Sequence, residues 1–145
     1  MPKDALGARI ALAIQASAGA SAVLSVGPVV TSAHYMDGRK QLVVRFSVAE
    51  AAGGLVLSNN ESCPSTMLDV YCTGAGFEVR GGSDDADGVW VPVRNATAGA
   101  DGKSVVLEVS AKPDRVRYAY ADWPLVMVRN RVGGLPARIF DIAVH

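Results

Sequence analysis

Beyond residue 22 the apolar side chains recur mostly at every second position, the period of a strand with one face on a core. Gln41–Ser47 places Leu42, Val44 and Phe46 on one face and Val43 and Arg45 on the other. Ser104–Ser110 aligns Val105, Leu107 and Val109, and Arg115–Ala121 aligns Val116, Tyr118 and Tyr120. Val29–Tyr35 runs into Asp37-Gly38, a hairpin signal. Phe77–Arg80 and Val89–Val93 flank Gly-Gly-Ser-Asp-Asp-Ala-Asp-Gly and predict a second hairpin. Ala49–Cys72, with Gly53-Gly54 and Asn59-Asn60, is the least regular stretch; it is expected to be a loop with one short strand near Met67–Tyr71.

Residues 4–18 follow a different period. Leu6, Ile10, Ala13 and Ile14 fall on one helical stripe, with Asp4 as N-cap and Gly19 as stop. The stripe is too short and narrow to hold a helix in isolation. The expected fold is therefore mainly β: an antiparallel β-sandwich, jelly-roll or Ig-like, with one N-terminal α-helix. Residues 1–22 form the helical part and 23–145 the sandwich.

Length and charge narrow the functions. A chain of 145 residues suits a single sandwich. A formal net charge of zero gives no electrostatic case for nucleic acid and does not favour a strongly acidic substrate. No stretch is apolar for long enough to span a bilayer as a helix, and Asp4 and Gln15 interrupt what would otherwise resemble a signal peptide.

Cys63 and Cys72 have eight residues between them within a turn-forming segment, as a bonded pair or as two free thiols. Asn60-Glu-Ser62 and Asn95-Ala-Thr97 are N-glycosylation sequons, with Asn60 and Asn95 as acceptors in a secreted chain. Two His and two Cys do not make an ordinary zinc site, and no cofactor is implied. Ser32 and His34 are neighbours on one strand, without triad geometry. Asp84, Asp85 and Asp87 before Gly88 fit a solvated turn better than a calcium loop, which would need Glu where Arg94 stands. Tyr118, Tyr120 and Trp123 are candidates for a glycan-stacking platform, although spacing two on a strand equally suits packing on the opposite sheet.

Several segments, in order, resemble the C-terminal region of the sialate O-acetylesterases, carbohydrate esterases of SGNH type. They are Pro2-Lys3-Asp4, the Ala- and Leu-containing stretch Leu6–Ala18, Gly27-Pro28-Val29, Gly76-Phe-Glu-Val79 and Trp90-Val-Pro-Val93. Val116-Arg-Tyr-Ala-Tyr-Ala-Asp-Trp-Pro124 and Gly134-Leu-Pro-Ala-Arg-Ile-Phe140 complete the series. The chain departs from the family pattern at Ala5, at 50–72 and at Met127–Asn130.

Met1 stands where the family carries its catalytic histidine, and no Gly-Asp-Ser or Gly-Gln-Ser nucleophile block occurs. Ester cleavage of this kind needs an activated serine and a histidine base, so no catalytic residue is assigned. The resemblance implies a secreted or lysosomal parent that removes O-acetyl groups from sialic acids or related sugars. Within it, this chain is expected to be a non-catalytic β-domain whose partner is an SGNH-type hydrolase domain, in the same polypeptide or in trans. Leu6, Ile10 and Ile14 would pack on that domain, exposed or paired in a dimer when the chain is alone. A free-standing carbohydrate-binding or interaction module, contacting an acetylated sugar, is the alternative.

Overall fold

The computed structural model of the chain describes residues 10–11, 26–58, 74–81, 88–120 and 127–145. The strands are β1 (Val29–Met36), β2 (Gln41–Ser47), β3 (Leu55–Leu57), β4 (Phe77–Arg80), β5 (Trp90–Pro92), β6 (Asn95–Ala98), β7 (Ser104–Glu108), β8 (Arg115–Tyr118), β9 (Val128–Asn130) and β10 (Phe140–Ala143). They form a sheet of order β1-β2-β7-β6, a second of order β10-β8-β4-β5, and a two-stranded ribbon β3-β9. Every pairing is antiparallel.

The core lies between the two four-stranded sheets, as expected of a sandwich. Leu42, Val44 and Phe46 of β2 and Val105 and Leu107 of β7 are buried, as their alternation predicts. They share one cluster with Phe77 and Val79 of β4, Val116 and Tyr118 of β8, and Phe140 of β10. Phe46 meets Phe140 edge-on across the gap, with ring centroids 6.0 Å apart. One flank is stitched by backbone: Tyr35 N–H donates to His145 O, and His145 N–H donates to Ala33 O. The C-terminal residue thereby bonds to β1, across the gap between the sheets.

Both predicted hairpins form. β1 and β2 are joined by a 3-10 turn at Asp37–Arg39, closed by Lys40 in the left-handed region. β4 pairs with β5. The ribbon β3-β9 was not expected, because three-residue strands carry too little alternation to register; Leu55 lies in a stretch read as loop. Gly54 N-terminal to it has φ +90, which brings its backbone against Gly102, and Leu55 N–H donates to Gly102 O at 2.8 Å.

One expectation needs correction and one finds no support. The strand read from Arg115 onward ends at Tyr118, because Ala119 takes a positive φ of 53; Ala121 lies outside the described residues. The N-terminal helix is not supported. Of residues 4–18 only Ile10 and Ala11 lie among the described residues; both are helical in conformation, and Ile10 is exposed. Leu6 and Ile14 lie outside the described residues, as does the short strand expected near Met67–Tyr71.

Candidate functional site

On β4, Phe77 and Val79 turn inward, so Glu78 and Arg80 face outward; on β8, Val116 and Tyr118 turn inward, so Arg115 and Arg117 face outward. The register sets Glu78 opposite Arg117 and Arg80 opposite Arg115. On the flanking strands Trp90 pairs with Arg80, and Asp141 with Arg117. The outer face of this sheet is thus a grid of guanidinium, carboxylate and indole.

The side chains are interlocked. Arg117 Nε donates to Glu78 Oε2 at 2.7 Å, with side-chain exposures of only 18% and 15%. Arg115 Nε donates to Asp141 Oδ1 at 2.8 Å on the more open side. The Arg117 guanidinium lies 4.4 Å from the Trp90 ring centroid and 4.9 Å from that of Tyr120, and Arg80 lies 5.3 Å from Trp90. Each such cation–π contact contributes about 0.5–1 kcal/mol at an exposed site. The result is a row running Tyr120, Arg117, Trp90, Arg80.

Tyr120 enters this row because of a backbone reversal. Strict alternation would send it inward beside Tyr118. Ala119, buried and left-handed, is pinned by its N–H to Gly76 O at 2.9 Å, and Tyr120 emerges 58% exposed against Arg117. Among the described residues three guanidiniums face two carboxylates here, and Arg80 has no carboxylate partner.

Of the aromatic residues singled out from sequence that the structure describes, Tyr120 offers an exposed ring and Tyr118 does not. Tyr118 is fully buried, its ring centroid 4.9 Å from Phe77, and its hydroxyl accepts the N–H groups of Met127 and Val128 at 3.0 and 2.9 Å. It is a core residue and offers no face to a sugar. Trp123 lies outside the described residues, as do Cys63, Cys72 and Asn60. Asn95 starts the edge strand β6 and is exposed, its Oδ1 accepting the Ala96 N–H at 3.0 Å. His34 is exposed on β1, with its ring 6.0 Å from that of His145.

The part played by Trp90 was missed. Its signal was present in the sequence: Glu-x-Arg and Arg-x-Arg on strands whose alternate residues are apolar define a charged outer face. Deciding which aromatic lay beside that face required the register.

Elsewhere a cleft of about 170 Å³ opens beside β5, lined by Val79, Gly81, Val91 and Val109, with Arg94 and Glu108 on its polar side. Among the described residues, no three His, Cys, Asp or Glu side chains gather where they could hold a metal ion. No helix among them is long and apolar enough to cross a membrane.

This architecture is that of an antiparallel β-sandwich. No family model matches the chain, and no curated protein matches it. Among solved structures it is similar to the carbohydrate acetylesterase XAC1771 from Xanthomonas citri, with a TM-score of 0.62 and 24% identity. The match covers 94% of this chain and 27% of that protein, so the chain spans about a quarter of its neighbour's length. The likeness is one of fold.

Proposed function

We propose that this chain is the non-catalytic β-domain of a carbohydrate acetylesterase, of the sialate O-acetylesterase kind, and that it serves a hydrolase domain as structural support. One observation carries the reading: nearly the whole chain, 94% of it, superposes on a minor part, 27%, of an acetylesterase. The ordered series of sequence segments that resemble the C-terminal region of sialate O-acetylesterases points the same way. Ester cleavage needs a serine nucleophile, a histidine base and oxyanion donors held together. In this reading those groups belong to the hydrolase domain. The β-domain acts through them by packing, with Leu6, Ile10 and Ile14 as its contribution to the joint. The parent enzyme would be secreted or lysosomal.

A segment swap tests the support role. The stretch of the Xanthomonas acetylesterase that this chain matches is deleted in one variant and replaced by this chain in another. The swap is expected to recover soluble protein and aryl-acetate turnover well above the deletion. Equal loss in both, with this chain folded inside the swap, would contradict the role.

A further inference from the structure

We infer that the outer face of the β10-β8-β4-β5 sheet is a binding surface for a carboxylated oligosaccharide, with a sugar ring on Tyr120 and a carboxylate on Arg80. This goes beyond the support role and rests on the geometry of the face alone.

The row Tyr120, Arg117, Trp90, Arg80 has successive spacings of 4.9, 4.4 and 5.3 Å. The register sets Tyr118 opposite Phe77 and Arg115 opposite Arg80, at the two ends of β4, so Tyr120 beyond Tyr118 and Arg80 are set apart by the length of that strand, more than one pyranose spans. At one end, Arg117 covers one side of the Tyr120 ring, yet the residue remains 58% exposed, which leaves an aromatic face open to the C–H side of a sugar. At the other end, Arg80 has an aromatic neighbour, and no carboxylate partner among the described residues. A planar guanidinium of that kind receives a carboxylate through two parallel N–H donors.

Between the ends, Glu78 and Asp141 already occupy Arg117 and Arg115. Those pairs hold the central rung in place before any ligand arrives, so little ordering cost falls on binding. Charge complementarity selects the occupant: among the described residues the face carries one more cation than anion, in a chain whose formal net charge is zero. A neutral glycan would use the rings and leave Arg80 unanswered, whereas a simple carboxylate would use Arg80 and leave Tyr120 bare.

The test is a titration of the purified chain, followed by amide and indole proton–nitrogen NMR. Digalacturonic acid is the probe, galactobiose the neutral counterpart and acetate the carboxylate without a ring. Trp90→Phe assigns the Trp90 indole signal. Digalacturonate is expected to shift the Trp90 indole and the amides of β4, β5 and β8 saturably, with a Kd on the order of 1 mM. Galactobiose and acetate are each expected to bind at least about tenfold more weakly. Tyr120→Ala and Arg80→Gln, both outside the core and checked for an unchanged Tm, are expected to weaken digalacturonate by a similar factor. Absence of saturable shifts overturns the inference. So do equal shifts from galactobiose or acetate, or unaltered affinity in both variants. None of these results bears on the support role, which the segment swap reads separately.

Discussion

Tyr118 shows how one side chain can decide both packing and loop placement. Its ring fills the centre of the core, stacked near Phe140 at 5.8 Å and tilted against Phe77. Its hydroxyl takes two backbone N–H groups at the entrance to β9. Tyr118→Phe keeps the ring but leaves those buried donors without that acceptor, so a loss of about 2 kcal/mol is expected in urea unfolding. A change below a few tenths of a kcal/mol would show that the hydroxyl is dispensable.

Asp101 makes a different kind of contribution. The Lys103 N–H, then the Ser104 hydroxyl, hold its carboxyl below its ordinary value of 3.8 against opposing desolvation, with Arg45 at 3.7 Å adding to the lowering. A depressed folded-state pKa stabilises fully above the unfolded-state value and is lost as pH falls through the folded one. Asp101→Ala should therefore cost roughly 1 kcal/mol at pH 7, since the site is open to solvent. The gap from wild type should narrow only as pH drops below 3.8, measured by thermal unfolding across pH. A gap independent of pH would assign the effect to the turn backbone and not to the charge.

Long, cleanly alternating strands such as β2 and β7 were legible in the sequence, whereas β3, β6, β9 and β10 were not. β2 and β7 sit in the middle of their sheet, and each exposes its alternation directly: Leu42, Val44 and Phe46, then Val105 and Leu107. β3, β9 and β10 could not be read in that way, being short and defined by pairing with distant chain. The platform was half legible for a related reason. Period two placed Tyr120 with Tyr118, and only the left-handed Ala119, pinned to Gly76, reverses that assignment. Nothing in the local sequence announces a positive φ at an alanine.

Gly27 is a case where the element boundary does explain the residue. A Cβ there would collide with the Pro136 carbonyl, at the point where the chain enters β1 beside the 134–139 segment. Gly27→Ala should therefore force that crossing apart and cost about 1–3 kcal/mol, measured by chemical denaturation. An unchanged midpoint would mean that the entry segment is not held where the structure places it.

Considered whole, the molecule is a self-consistent sandwich: two sheets share one apolar core, joined by Phe46 against Phe140 and laced through His145. Its outer sheet face is built from interlocked ion pairs and aromatic rings and not from a loose scatter of surface charge. The fold is similar to about a quarter of the length of a carbohydrate acetylesterase; under the proposed support role, bond cleavage belongs to a hydrolase domain. The decisive measurement is acetate release by the purified chain, from an aryl acetate and from O-acetylated sialic acid, over a range of substrate concentrations. The support role predicts no turnover above the buffer rate at any concentration. Saturable acetate release that co-purifies with the folded chain and is abolished by a serine-reactive inhibitor would show that these strands carry a catalytic centre of their own.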